Sequence, residues 1–151
     1  LLLNGNICST SATIVKSDFI KKNNIRFLEN KRFTSVEDYG FWLDIARYKG
    51  KFFLLKKVLG TYHLNEKSLT NNILWHKFNM IKLLYHHVFI LNKNNYKLKK
   101  VWRKILLLYK IDVLFLKIFK LKNYVKIFSL INLFISKPFM LIIYLKRKIN
   151  I

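Results

Sequence analysis

Glu37 and Asp38 are adjacent carboxylates in a chain that has few acidic residues. The sequence holds 29 Lys and Arg but only 7 Asp and Glu among its 151 residues. The pair stands in FTSVEDYGFWLDIARYKG (33–50), beside aromatic residues that include Tyr39 and Trp42. A carboxylate beside such rings can accept a proton from a substrate hydroxyl, which is general-base catalysis. The structural alternative is that both acids stabilise the positive end of a helix.

The residues around the pair predict a helix. Thr34 followed three positions later by Glu37 is the pattern of a capping box, in which a hydroxyl and a carboxylate bind the first backbone amides. Apolar residues then recur at helical spacing to about Lys49, and Gly50 is expected to end the helix in the left-handed conformation. In this interpretation Glu37 caps the helix, which leaves Asp38 free for chemistry.

Short strands and one short helix are predicted on either side of this helix. ICSTSATIV (7–15) is rich in β-branched residues and predicts a strand, and SDFIKKNN predicts a helix from Ser17. KFFLLKKVLGTYHL (51–64) predicts two short strands around Lys56 and Lys57. Strands that alternate with helices indicate an α/β domain.

The chain changes character near Asn72. All four glycines and every acid except Asp112 precede this point, and long runs of Leu, Ile, Phe and Lys follow it. We therefore divide the chain into residues 1–72 and residues 73–151. The second region predicts three or four basic amphipathic helices. No segment has 18 uncharged apolar residues, so a conventional membrane-spanning helix is not expected.

Four segments of the first region, in this order, resemble one known family. ICSTSATIVKSDFI, IRFLEN, SVEDYGFWLDIARYKGKFFLL and VLGTYHLNEKSLT are similar to the second half of the catalytic domain of glycosyltransferase family 2, the inverting enzymes of GT-A fold. The resemblance covers about residues 4–72. It implies a partial GT-A (Rossmann-like) α/β domain that lacks its nucleotide-binding half and is followed by the amphipathic helices.

The resemblance also implies a role for particular residues. Asp38 would be the catalytic base, which takes the proton from an acceptor hydroxyl as that hydroxyl attacks the anomeric carbon of a nucleotide sugar. Glu37 would support the helix start and the acceptor. The residues expected to bind substrate are Thr10, Ser11, Tyr39, Trp42 and His63. At the last of these positions the family often has Arg.

The metal and the donor are expected to need residues beyond this sequence. It contains no Asp-x-Asp motif and no glycine-rich phosphate loop. A divalent ion, Mn²⁺ or Mg²⁺, is therefore expected only in a full-length enzyme, and no residue of this chain is expected to bind it. The fragment is expected to be inactive without an N-terminal half of the domain.

The net charge of +22 indicates an anionic partner, which could be nucleic acid, a membrane surface or a phosphorylated substrate. An AT-rich genome would also raise the Lys content without selection for binding. For the basic tail we favour an anionic membrane surface over nucleic acid, because Lys outnumbers Arg and no nucleic-acid-binding signature occurs. Packing of the tail on the first region is the structural alternative.

The resemblance implies an inverting glycosyltransferase that acts in surface polysaccharide synthesis. It would transfer a sugar from a nucleotide-sugar donor to a glycan or lipid-linked acceptor, at the cytoplasmic face of the cell membrane. The competing prediction is a non-enzymatic basic protein that binds a membrane surface or nucleic acid.

Overall fold

The computed structural model describes residues 1–61, 72–120 and 122–149, and the regular structure in these ranges is helical. The α-helices are α1 (Ser17–Lys22), α2 (Glu37–Arg47), α3 (Ile73–Tyr85), α4 (Tyr96–Phe119), α5 (Asn123–Ser136) and α6 (Pro138–Ile149). A π-helical segment, His86–Leu91, follows α3, and 3₁₀ turns occupy Thr10–Ala12 and Lys31–Phe33. The contacts divide the chain into a first unit, Leu1–Trp102, and a second unit, Arg103–Ile151.

The predicted partial GT-A (Rossmann-like) α/β fold is wrong, because the described residues form no strand and no sheet. The segment 7–15 contains a 3₁₀ turn, and residues 51–61 have no regular structure. The rest of the second predicted strand pair, residues 62–64, lies outside the described residues. Ile14 and Val58 are each 97% exposed. A β-branched sequence forms a strand only where a neighbouring strand bonds its backbone, and the described ranges supply none.

α2 is the helix of the first unit with the most buried residues. Its buried residues are Tyr39, Gly40, Phe41, Trp42, Leu43 and Ile45. Phe19 of α1 packs against the cluster that contains Trp42. On another side, a Cβ at Gly40 would lie 2.5 Å from Leu28 Cδ1 and 3.3 Å from Leu83 Cδ1. Glycine therefore allows the chain before α2 and helix α3 to approach α2 closely.

The start of α2 differs from the prediction, because no capping box forms. The helix begins at Glu37, and its N-cap residue Val36 makes no side-chain hydrogen bond. The Thr34 hydroxyl donates to a carbonyl of the preceding 3₁₀ turn at 2.6 Å. Asp38 Oδ1, in contrast, accepts from the backbone N–H of Tyr39 at 2.7 Å. Asp38, and not Glu37, is thus the acid that binds an amide of the first turn.

The end of α2 is a Schellman turn formed by Lys49 and Gly50. The Gly50 N–H donates to the Ile45 carbonyl at 2.8 Å, and the Lys49 N–H donates to the Ala46 carbonyl at 3.0 Å. Lys49 adopts the left-handed conformation, with φ 62°, which was predicted for Gly50. Gly50 is needed for a different reason, since a Cβ there would lie 2.5 Å from Ile45 Cγ2.

The second unit has its own apolar core. The cluster consists of Ile111, Phe115 and Ile118 of α4 with Leu133 of α5. Residues of α6 pack against it, and the Tyr144 ring stacks on Phe115 with centroids 3.7 Å apart. No single helix in the described ranges is long and apolar enough to cross a membrane. α5 and α6 meet the length and composition limits only as a pair bent by 109°.

Candidate functional site

A cleft of about 510 Å³ lies beside Asp38 at the start of α2. Its lining residues are Asn6, Ile7, Cys8, Ser9, Thr10, Ser11 and Asp38. All of them except Asp38 come from one segment that leads into the first 3₁₀ turn. The volume falls within the roughly 300–1,000 Å³ that small-molecule sites occupy.

Asn6 joins this segment to α2. Its side-chain Nδ2 donates to Asp38 Oδ2 at 2.9 Å, and its Oδ1 accepts from the Cys8 N–H at 3.2 Å. The turn before Asn6 depends on Gly5, whose φ of 83° is readily available only to a residue without Cβ. Because a carboxylate has about four acceptor positions, the bonds from Asn6 and from the Tyr39 N–H leave Asp38 able to accept another proton donor.

Three hydroxyl groups add to the polar surface of the cleft. The hydroxyl oxygens of Ser9 and Ser11 lie 3.0 Å apart, and Thr10 stands between them in the sequence. The Thr13 hydroxyl donates to the Ser9 carbonyl at 2.7 Å, which stabilises the 3₁₀ turn that carries these side chains. Hydroxyl groups both donate and accept, so this row suits a ligand that carries several hydroxyls.

Cys8 is the remaining residue of the cleft lining that has a polar side-chain atom, its thiol sulfur. Burial raises the pKa of its thiol, and the negative charge of Asp38 acts in the same direction. Since the thiolate is the nucleophilic form, the raised pKa disfavours covalent chemistry at this sulfur. Cys8 therefore contributes a small, weakly polar surface.

The structure brings three of the predicted site residues together. Thr10 and Ser11 line the cleft with Asp38. Asn6 was not predicted, although Asn-Gly-Asn at positions 4–6 is a turn signal that places a polar side chain at a bend. His63 lies outside the described residues.

The other predicted site residues do not line this cleft. Tyr39 and Trp42 are each 2% exposed and belong to the interior of the first unit. The Tyr39 hydroxyl donates to the Leu1 carbonyl at 2.9 Å, so the ring packs inside while its polar end is satisfied by backbone. Glu37 is partly exposed on the same turn as Asp38 but is not among the cleft residues.

A second polar contact lies close to the start of α2. The Ser35 hydroxyl is 3.1 Å from His76 Nδ1, and Ser35 has a φ of 72°, which is rare for a residue with Cβ. The pKa of His76 is lowered, mainly by burial and then by Lys77, while the acids Asp38 and Glu37 oppose that shift. A neutral His76 therefore bonds Ser35 and links α3 to the segment that precedes Asp38.

The described residues contain no group of three or more His, Cys, Asp or Glu side chains that could hold a metal ion. The site is thus a cleft with one carboxylate, one amide and a row of hydroxyls. Comparison of this sequence with models of known protein families and with curated proteins found no match. Comparison with solved structures also found no match. The resemblance to family 2 glycosyltransferases stays a prediction from the motifs.

Proposed function

We propose that the cleft beside Asp38 binds a hydroxyl-bearing acceptor and that Asp38 is the general base of an inverting glycosyl transfer to it. The observation that carries the proposal is the Asp38 carboxylate, held at 2.9 Å by Asn6 on the wall of a cleft lined by hydroxyl groups. A base must be fixed in position and must keep a free acceptor site, and Asp38 meets both conditions.

In this reaction the acceptor oxygen bonds to the anomeric carbon of a nucleotide sugar while Asp38 takes the hydroxyl proton. The bond from that carbon to the diphosphate oxygen breaks, and the diphosphate leaves with the electron pair. Asn6 and the Tyr39 N–H orient the carboxylate. Thr10 and Ser11 bind neighbouring acceptor hydroxyls. The described residues do not fit a metal site, so the Mn²⁺ or Mg²⁺ and the donor would depend on the nucleotide-binding half that the resemblance implies.

The test is sugar transfer by a full-length enzyme that contains this chain and a nucleotide-binding half, measured with radiolabelled nucleotide sugars and glycan or lipid-linked acceptors. Asp38→Asn should lower the rate by about 100-fold or more, since general-base catalysis contributes roughly 10²- to 10⁴-fold. Asp18→Asn makes the same chemical change on the exposed first turn of α1 and should leave the rate unchanged. Near-full turnover of Asp38→Asn would remove Asp38 as the base. Loss of turnover only in Glu37→Gln would exchange the roles of the two acids.

One face of α5 favours a second function, binding to an anionic membrane surface. The exposed apolar residues of this helix are Tyr124, Ile127, Phe128, Ile131, Phe134 and Ile135, and their exposed fractions range from 53% to 75%. Spacings of three and four residues place them along one side of the helix. Leu133, on the opposite side, is buried in the core of the second unit. We call the six exposed residues the α5 stripe.

The charge of the second unit supports an anionic surface as the partner of the α5 stripe. Residues 103–151 contain eleven Lys and Arg, and Asp112 is their one acid in the sequence. Two copies of such a unit repel each other, whereas anionic headgroups attract it by about 1 kcal/mol for each basic residue near the surface. The α5 stripe would enter the boundary between headgroups and acyl chains, with the helix parallel to the surface.

Vesicle sedimentation tests this second function. The protein should bind vesicles that contain phosphatidylglycerol more strongly than vesicles of phosphatidylcholine alone. Phe128→Ser and Phe134→Ser should each weaken binding by about tenfold or more, since burial of a large apolar side chain contributes roughly 1.5–3 kcal/mol. Tyr96→Ser changes an aromatic residue that is 69% exposed outside the second unit and serves as the control. Equal binding to both vesicles, with salt-dependent binding to DNA or RNA, would favour the nucleic-acid alternative.

A further inference from the structure

The cleft beside Asp38 differs in charge from the chain that forms it. The chain has a net charge of +22. Among the described residues that line the cleft, Asp38 is the charged one, and none is Lys, Arg or His. The net charge of the sequence thus indicates an anionic partner, whereas the charge inside the cleft is that of a carboxylate. The two observations indicate different ligands.

The surroundings of Asp38 do not neutralise its negative charge. Glu37, the residue before it, is partly exposed and adds a second carboxylate to the first turn of α2. A helix start carries roughly half of one positive charge, which is less than the charge of two carboxylates. The Leu1 amino group is a cation in this region, since burial raises the pKa of the Cys8 thiol, Leu1 lowers it and Asp38 raises it. Leu1 does not line the cleft, however, whereas Asp38 does. The charge that a bound ligand contacts is therefore negative.

The other groups that the described lining offers to a ligand are neutral. The hydroxyls of Ser9, Thr10 and Ser11 can donate to and accept from ligand hydroxyls. Ile7 is 73% exposed and supplies an apolar surface on which the C–H groups of a sugar ring can lie. This lining suits a ring that has hydroxyls at its edge and C–H bonds on its face. It contains no cation that would pair with an anionic substituent of such a ring.

We propose that the acceptor unit bound in this cleft is an uncharged sugar, and that Asp38 excludes a sugar that carries a carboxylate or a phosphate there. The proposal rests on the proposed function, since it assumes that the cleft binds the acceptor. Like charges a few ångströms apart repel, and in a partly solvated cleft this repulsion should weaken binding of an anionic sugar about tenfold. A cationic substituent would bind to the Asp38 carboxylate and occupy the oxygen that must accept the hydroxyl proton. An uncharged acceptor avoids both effects.

The experiment is a ligand-observed NMR titration of the full chain without a sugar donor, at about 0.15 M salt, where exposed charges beyond roughly 8 Å are screened. The ligands are methyl glucoside, methyl glucuronide and protonated methyl glucosaminide, which present a similar ring with no charge, a negative charge and a positive charge. The glucuronide should bind about tenfold more weakly than the glucoside, and the glucosaminide at least as tightly as the glucoside. In Asp38→Asn the three affinities should agree within about twofold, because the carboxylate charge is absent. Asp18→Asn, on the exposed first turn of α1, should keep the parental order.

A matched pair of lysine variants locates the effect in the cleft. Ser11 and Ala12 are neighbouring exposed residues of one 3₁₀ turn, and of the two Ser11 lines the cleft. Ser11→Lys should raise the affinity for the glucuronide relative to the glucoside by about fivefold, because a cation then faces the ligand. Ala12→Lys adds the same charge outside the lining and should leave this ratio unchanged.

The proposal would be overturned by equal affinity of the parent chain for glucoside and glucuronide, or by equal effects of the two lysine variants. A preference that persists in Asp38→Asn, or no binding of any of the three ligands, would also overturn it. The titration needs no donor, so it separates this proposal from the glycosyl transfer. If the preference for the glucoside depends on Asp38 but a full-length enzyme transfers no sugar, the uncharged ligand is supported and only the transfer is rejected.

Discussion

Lys49 and Gly50, which end α2, should respond to substitution with opposite signs. Lys49 has a φ of 62°. The left-handed conformation costs a residue with Cβ roughly 1–2 kcal/mol, and a glycine there instead loses roughly 0.5–1 kcal/mol of additional conformational entropy. Lys49→Gly is therefore expected to raise the free energy of unfolding by about 0.5–1 kcal/mol, which is the difference between these two costs.

Gly50→Ala is expected to lower the free energy of unfolding. The new Cβ would lie 2.5 Å from Ile45 Cγ2, 2.9 Å from the Ile45 carbonyl oxygen and 3.2 Å from Phe19 Cζ. Ile45 is 5% exposed in the core, and its carbonyl accepts the Gly50 N–H at 2.8 Å. Neither group can move without loss of packing or of this hydrogen bond, so the cost should be about 1–3 kcal/mol, as for other overpacked sites.

Urea unfolding followed by circular dichroism measures both effects. Equal m-values would show that the variants and the parent chain expose the same surface area when they unfold. Gly60→Ala is the control, because among the residues that the structure describes, apart from its two chain neighbours, no atom lies within 4 Å of a Cβ at Gly60. Its effect should stay within about 0.5 kcal/mol. If Gly50→Ala were as stable as the parent chain, the close approach of Ile45 would be refuted. A destabilised Lys49→Gly would refute the left-handed conformation of Lys49.

Two further predictions concern a hydrogen bond and a buried histidine. Asn6→Ala should lower kcat of the proposed transfer about five- to tenfold with little change in KM, because Asp38 loses one orienting donor, while the exposed Asn4→Ala should have no effect. Burial lowers the pKa of His87 to about 4, with Asp44 opposing that shift, so the unfolded chain, with its His pKa near 6.5, takes up the proton first as the pH falls. The free energy of unfolding should therefore decrease by about 3 kcal/mol between about pH 6.5 and pH 4. Urea unfolding at a series of pH values measures this decrease, and His87→Leu should remove most of it.

The sequence predicts helices better than strands here, because helix signals are local. In α2 the buried residues Phe41, Trp42 and Ile45 recur at the spacing that places them on one face, so a few neighbouring residues suffice to indicate the helix. A strand depends on partners that are distant in sequence. Ile14 and Val58 lie in segments with strand propensity, yet each is 97% exposed with no neighbouring strand in the described ranges. Propensity cannot supply that partner.

The candidate site depends on contacts between distant segments, which local patterns do not predict. The order of motifs indicated Thr10, Ser11 and Asp38, and these residues do share a cleft. Asn6 lies 32 positions from Asp38, and no local pattern predicts a hydrogen bond over that separation. Tyr39 and Trp42 show the opposite error. An aromatic residue beside an acid is consistent with the wall of a pocket or with the core beneath it, and only the burial of the ring separates the two.

The structure also changes the question that the adjacent acids raise. Glu37 closes no capping box, and Asp38 binds both the first turn of α2 and the preceding segment through Asn6. Asp38 therefore has a structural role whether or not it is a base, so loss of activity in Asp38→Asn is informative only if the variant keeps its fold. Asparagine preserves an acceptor oxygen for the Tyr39 N–H but cannot take a proton at neutral pH. An Asp38→Asn variant that unfolds at the parental urea concentration yet transfers sugar about 100-fold more slowly would separate the chemical role from the structural one.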